Sequence, residues 1–251
     1  MKLEDINSHT RDSRIEFEEE PHIYYIDGEP YDLSVTSFIK QFSEEFDTKA
    51  IINKYYSKWQ SNKQNKYFGI SPKEIESLWE HNRQDAAAKG SVLHRDIELF
   101  YNDIDVDNNS KEFELFLNFF NLAKKYIPYR TEWQIFDEEY KLAGSVDMCF
   151  LDKNDKLMII DWKRSKKIRK NTGYNRSMKE PISHLEDTNY WHYALQLNMY
   201  KYILEKHYNK TISFMYLVKL HPNQSNFESF HIPDMENEIQ SLLNAKSKIS
   251  S

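Results

Sequence analysis

Two apolar strand patterns, LAGSVDMCFL at 142–151 and KLMIIDWK at 156–163, flank the turn-prone DKNDK, and each carries an aspartate inside its hydrophobic run. Side chains alternate along a strand, so Leu157, Ile159, Asp161 and Lys163 share one face, and Met158, Ile160 and Trp162 the other. A turn centred on Asn154 pairs Leu151 with Leu157, Cys149 with Ile159 and Asp147 with Asp161. Directly opposed residues have Cβ atoms about 4.5–5.5 Å apart, where two carboxylates repel unless something positive lies between them. A divalent cation is the economical answer. Carboxylate oxygens suit Mg²⁺ or Mn²⁺, which keep several waters and can share phosphate oxygens with a substrate. Lys163, on the same face, could hold or deprotonate an attacking water and stabilise charge developing on a phosphate. A plainer arrangement also fits these residues, with Asp161 and Lys163 as an ion pair at a strand end and Asp147 independent of them. A one-residue bulge would likewise carry Asp147 off the shared face.

The 251 residues, 39% hydrophobic and 29% charged, suffice for one large domain spanning 1–251. Within it, 1–128 is expected to form an N-terminal hairpin and helical elaboration, and 129–251 the core. No apolar run approaches the roughly 18–20 residues that cross a bilayer, and the first twenty residues have neither a signal-peptide apolar segment nor a transit peptide's acid-poor composition. The expectation is a soluble, intracellular protein. The single cysteine, Cys149, cannot close a disulfide within the chain or supply a four-thiolate iron–sulfur or zinc site. With five glycines and neither GxGxxG nor GxxxxGK[ST], the usual phosphate-cradling loops are absent. The net charge of −6 argues against a uniformly basic coat, but residues 162–179 hold eight Lys or Arg and no acid, leaving the remainder at −14. Basic runs are often only solvated loops. This one begins inside the second strand pattern.

HIYYIDGEPYDLSV reads as a hairpin turning at Asp27-Gly28, and Ser34 as the cap of a helix through TSFIKQF. Ser71-Pro72-Lys73-Glu74 has capping-box spacing, opening a helix through Ala86–Ala88 that Gly90 is expected to break or kink before SVLHRDIELFYN continues it. Ser110 caps a helix with Phe113, Phe116, Phe120 and Ala123 at core-facing spacing. From about Arg130 the pattern turns to strands: TEWQIFDEEY and the two already described. The long aromatic helix NYWHYALQLNMYKYILEKHY, the strand ISFMYLVKL and the helix ENEIQSLLNAKSK follow.

Asp147 with Asp161-Trp162-Lys163 resembles the PD-(D/E)XK nuclease core, in which a hairpin delivers an aspartate and an acidic-x-lysine triplet to divalent metal. Val146 stands where that motif commonly has proline. GSVLHRDIE, Gly90–Glu98, is similar to the GxxxH element of the RecB-like branch, and QLNMY, Gln196–Tyr200, to its QxxxY helix. His94 and Glu98 are four apart, as are Gln196 and Tyr200, so each pair shares a helix face. LSVTSFIKQF, AGSVD and IIDWKRS together resemble the subgroup of mitochondrial genome maintenance exonucleases, over roughly residues 20–245.

The resemblance implies an α/β (α+β) restriction-endonuclease-like core, a central mixed sheet flanked by helices with a helical N-terminal elaboration. It implies His94, Asp147, Asp161 and the Trp162 carbonyl around Mg²⁺ or Mn²⁺ (one or two ions, no iron–sulfur cluster), with Asp147, Asp161 and Lys163 catalytic. Gln196 and Tyr200 would orient Lys163 or a phosphate, and Arg164, Ser165, Lys166 and Lys167 would contact substrate. Ser34 and Thr36 could touch a phosphate, though helix capping serves Ser34 equally. Glu98 and Glu132 are candidates for supporting or metal roles, against the alternatives of a solvated helix acid and a strand-edge acid. Trp162, Tyr174 or helix aromatics could stack on bases. The implied activity is metal-dependent phosphodiester hydrolysis on nucleic acid, as an exonuclease on single-stranded DNA ends in replication, repair or recombination. A structure-specific endonuclease and a non-catalytic nucleic-acid-binding module are the rivals.

Overall fold

The apolar runs 148–151, 157–160 and 214–218 lie on neighbouring strands of one mixed sheet. A computed structural model describes every residue except Met1, Asp32, Thr172, Tyr174, Asn175, Ser250 and Ser251, and leaves out the side chains of Lys248 and Ile249. The stacking candidate Tyr174 therefore lies outside the described residues.

The elements in chain order are α1 (Leu3–Ile6), β1 (Ile15–Glu18), β2 (Ile23–Ile26), β3 (Glu29–Tyr31), β4 (Leu33–Ser34), α2 (Val35–Lys40), α3 (Thr48–Gln60), α4 (Pro72–Tyr101) and α5 (Lys111–Ala123). β5 (Ile127–Asp137), β6 (Leu142–Leu151), β7 (Leu157–Lys163), α6 (Asn189–His207), β8 (Ile212–Lys219), β9 (Glu228–His231) and α7 (Glu236–Ile249) complete them. Contacts group the chain into two compact units, Met1–Glu44 with Leu93–Ser251, and Glu45–Val92.

In the larger unit the six-stranded sheet runs β4-β6-β7-β8-β9, with β5 on the other edge of β6. β6 pairs antiparallel with β5 and β7, β7 parallel with β8, and β8 antiparallel with β9. The parallel β7–β8 pair requires a crossover, which α6 supplies. The β6–β7 register follows the turn chemistry as far as it runs: Leu151 opposes Leu157 and Cys149 opposes Ile159, but the ladder ends at Met148 and Ile160. The expected Asp147–Asp161 pair is not part of it, Asp147 Oδ2 accepting from Trp162 N instead.

Both sheet faces are buried, which explains why these strands read as near-continuous apolar runs. Cys149, Leu157, Ile159 and Leu217 pack with α2, α6 and α7 through Phe38, Leu195, Ile203 and Leu242. Met148, Phe150, Met158, Ile160 and Trp162 pack on the other side with Leu93 and Ile97 of α4 and Phe113 and Phe116 of α5. The strand alternation thus assigns Asp161 and Lys163 to the α6 side. The indole of Trp162 is 1% exposed and lies edge-on to Phe116 and Phe119, at 5.7 and 5.1 Å. It is a core residue and has no face to offer a base, contrary to the stacking expectation.

Capping chemistry predicts the helix starts. The Ser34 hydroxyl accepts from Ser37 N, Ser110 accepts from Phe113 N, and Ser71 and Glu74 form the reciprocal box. The Asp27-Gly28 turn has positive φ at both residues, 54° and 83°, as a two-residue hairpin requires. Gly90 neither breaks nor ends α4, which is assigned as one helix from Pro72 to Tyr101. A lone glycine costs a helix about 1 kcal/mol but removes no hydrogen bond, so neighbouring turns carry it through. β1 and β9 are four-residue edge strands, too short for the apolar pattern to mark them in the sequence.

The unit Glu45–Val92 contains α3, the loop 61–71 and the first part of α4. Its own core is Ile52, Tyr67 and Ile75, with Tyr56, Trp59, Ile70 and Trp79 partly buried around them. Among the described residues, no helix is long and apolar enough to cross a membrane.

Candidate metal centre

β6 is the strand on which the site is built. Its start, Leu142–Ala143, pairs with β4, and its end, Met148–Leu151, pairs with β7 on the same edge. Between them, Gly144–Asp147 have no ladder partner on that edge among the described residues, which leaves an interval for side chains. On the other edge the ladder to β5 also skips one step, between Thr131↔Met148 and Trp133↔Val146. Glu132 occupies that step with φ +42°, a left-handed conformation that non-glycine residues seldom adopt and that costs on the order of 1–3 kcal/mol.

The distortion delivers a carboxylate to the site. His94, Glu132 and Asp147 each offer a ligand atom, all within 4.8 Å of one another. His94 Nδ1 lies 3.5 Å from both Glu132 Oε1 and Asp147 Oδ2. Its Nε2 donates to the Trp162 carbonyl at 2.9 Å, which sets the tautomer and turns Nδ1 toward the acids. Ser145 Oγ donates to Glu132 Oε2 at 2.8 Å, and Trp162 N donates to Asp147 Oδ2 at 2.8 Å. Two carboxylates and one imidazole nitrogen, each oriented by a further hydrogen bond, form a donor set that could hold a metal ion.

Asp161 stands beside this group. Lys163 Nζ comes within 2.7 Å of its Oδ2, a close ion pair, and the buried Oδ1 has no hydrogen-bond partner. A buried carboxylate held by one ion pair alone leaves lone pairs unsatisfied, and such groups call for a cation. Lys163 Nζ also lies 4.7 Å from the centre of the Tyr193 ring, a cation–π contact.

The electrostatics bear the mark of crowded acids. Burial, reinforced by Asp161 and Glu132, pushes the Asp147 carboxyl up to about 7. Burial disfavours a charged His94, but Asp147 and Glu132 outweigh it and raise its pKa to about 9. Burial likewise opposes the Lys163 charge, yet Asp161 and Asp147 hold its pKa above the ordinary value. The Glu98 carboxyl, one turn beyond His94, is raised by burial and then by Glu132.

The expected residues divide accordingly. His94 and Asp147 lie in the metal-competent group, joined by Glu132. Asp161 is engaged with Lys163, and the Trp162 carbonyl with His94. Gln196 Nε2 donates to the Tyr200 hydroxyl at 3.0 Å, so these two buried groups satisfy each other. The half-buried Arg164 guanidinium is paired with Glu112 at 2.7 Å, a fixed pair and not a free contact for substrate. Ser165 Oγ bonds the Lys167 carbonyl, while the Lys166 and Lys167 side chains are exposed. Ser34 Oγ lies 3.0 Å from Thr36 Oγ1 as well as capping α2. Tyr193 escaped the sequence reading, although Tyr193, Gln196 and Tyr200 share one face of α6 at helical spacing.

Gly144 is required for the approach of α6 to β6. A Cβ there would meet Tyr200 Cε1 at 2.7 Å and its hydroxyl at 3.1 Å. Tyr200 is buried and tied to Gln196, with little room to yield. Gly144→Ala is expected to destabilise the protein by about 1–3 kcal/mol in urea unfolding, and an unchanged midpoint would contradict this packing.

No family model matches the chain, and no curated protein matches it. Among solved structures, SSO0001 is similar over 98% of this chain and 81% of its own, with 16% identity and a TM-score of 0.35. A candidate exonuclease from Eubacterium rectale is similar over 87% of this chain and 78% of its own, with 13% identity and a TM-score of 0.37. Overlaps this loose carry no weight for fold or function.

Proposed function

We propose that the chain is a divalent-metal-dependent DNA nuclease of the PD-(D/E)XK superfamily, RecB-like branch, acting as an exonuclease on single-stranded ends in replication, repair or recombination. The observation that carries this reading is the convergence of His94, Glu132 and Asp147 beside a buried, hydrogen-bond-deficient Asp161 and its partner Lys163. His94, Glu132 and Asp147 would hold Mg²⁺ or Mn²⁺, with Asp161 at its border. A cation there supplies Lewis-acid polarisation of a phosphoryl oxygen and lowers the pKa of a water molecule.

The protein's own groups do the rest. Lys163, kept protonated by two carboxylates, is a donor toward a phosphate oxygen and not a base. Asp161 orients that ammonium, and the Tyr193 ring backs it. Trp162 N and Ser145 Oγ keep Asp147 and Glu132 in place, so the acids need no rearrangement when charge develops. Exposed basic residues of the run 162–179, Lys166, Lys167, Arg169 and Lys170, would supply salt-sensitive attraction for a phosphate backbone.

End-labelled linear single- and double-stranded DNA and circular single strands, each with Mg²⁺, Mn²⁺ or chelator, test the proposal. Linear single strands should shorten only with metal, while circles persist. Cut circles would replace exonuclease with endonuclease, and no cleavage under any condition would end the nuclease reading.

A further inference from the structure

The unit Glu45–Val92 has a chemistry of its own. Residues 48–70, TKAIINKYYSKWQSNKQNKYFGI, contain five lysines, five aromatic residues and no acid, in a chain of net charge −6. The small core uses only part of this aromatic content. Tyr67 is buried, but Phe46 is 62% exposed, Phe68 43% and Tyr55 37%.

These rings stand on a supported frame. Tyr55, Trp59, Trp79 and Phe46 form a continuous line with neighbouring centroids 6.0, 6.1 and 6.2 Å apart, and none of the four is buried. Trp79 Nε1 donates to the Tyr67 hydroxyl at 2.7 Å, locking the line to the core. Gln60 fixes the loop that carries Phe68, donating to the Tyr67 carbonyl and accepting from Gly69 N.

The lysines point to the occupant. Lys49, Lys54, Lys58, Lys63 and Lys66 are all exposed, and among the described residues none makes an ion pair. On α4, by contrast, Arg83 and Lys89 are paired with Glu80 and Asp85. Lys54 Nζ lies 5.5 Å from the Tyr55 ring, so charge and ring face are offered together. A folded acidic protein could neutralise the lysines but has few flat faces to match the rings. Duplex DNA hides its base faces. A single strand presents phosphates and unstacked bases at once.

We propose that Glu45–Val92 is a single-strand-binding platform, on which bases stack against the Tyr55–Phe46 line and Phe68 while the unpaired lysines hold the phosphate backbone. The choice of nucleic acid as partner rests on the nuclease reading; the binding does not need the metal centre.

Fluorescence anisotropy of the full chain with labelled oligo-dT and with a matched duplex, in chelator and at several salt concentrations, tests this. The wild type should bind the single strand more tightly than the duplex. A Lys54→Ala/Lys58→Ala/Lys66→Ala protein should bind at least tenfold more weakly at low salt, with the log–log salt slope reduced by about 2. A Phe46→Ala/Tyr55→Ala protein should lose roughly 5- to 100-fold in affinity with its salt slope unchanged. All five side chains are exposed, and far-UV circular dichroism checks each fold. Wild-type affinity in both variants, or equal affinity for duplex, overturns the platform. So does a wild-type dimer that the aromatic variant renders monomeric, which would make the patch a self-interface. Cleavage with binding indifferent to these variants would spare the nuclease reading and reject this one; binding through the patch without cleavage would do the reverse.

Discussion

Asp147→Asn should abolish metal-dependent cleavage, by about 10²–10³-fold or more, while the protein stays folded. Asparagine keeps the volume, and its carbonyl can still accept the Trp162 N–H that Asp147 now holds at 2.8 Å. What it loses is the negative oxygen shared with His94 and Glu132, so affinity for Mn²⁺ should fall by about 10- to 100-fold. Lys163→Met separates binding from chemistry. Lys163 is outside the ligand group, so that protein should retain Mn²⁺ affinity within a few-fold and still lose cleavage by about 10²-fold. Calorimetric titration with Mn²⁺ and single-turnover cleavage measure the two quantities. A well-folded Asp147→Asn protein that cleaves within tenfold of wild type would remove the metal centre from the mechanism.

Metal affinity should climb steeply with pH. Asp147 has a pKa of about 7 and His94 about 9, and a cation needs both deprotonated. Binding should therefore displace protons from this pair, up to two at the low end of the range and fewer as the pH rises. Affinity should thus rise with pH by up to about tenfold per unit for each proton displaced, which is about 1.4 kcal/mol each, and level off once both groups are deprotonated. The metal-free fold behaves oppositely. The Asp147 pKa is raised from 3.8, so its stabilising contribution is lost as pH rises from about 4 through 7. The His94 contribution is complete below 6.5 and lost as pH rises through 9. In both windows the folded state binds more protons than the unfolded one, so metal-free stability should fall with pH. Thermal midpoints with chelator and with Mn²⁺ should therefore diverge from pH 6 to 9. Parallel curves would mean that the cation does not displace these protons.

The short-range features were legible in the sequence because their causes are short-range. Ser34, Ser71 with Glu74, and Ser110 start helices through hydrogen bonds spanning three residues. The turn centred on Asn154 dictated that Cys149 face Ile159, and period-two alternation then put Asp161 and Lys163 on one side and Trp162 on the other.

Tertiary structure decided the composition of the site. In the sequence Glu132 is a candidate for a supporting or metal role that a strand-edge acid explains equally; it becomes a partner of His94 where its backbone turns left-handed and the β5–β6 ladder skips a step. No local pattern encodes that turn, and the side chains that meet Glu132, Ser145 of β6 and His94 of α4, belong to other elements. Trp162 was placed on its face by alternation, but only the docking of α5, with Phe116 and Phe119, makes that face dry. Arg164 belongs to a basic run, yet Glu112, 52 residues earlier, claims its guanidinium. Local sequence sets which way a side chain points, because that depends on backbone geometry within a few residues. What it meets there depends on segments far along the chain, brought near only when the two faces of the sheet are buried.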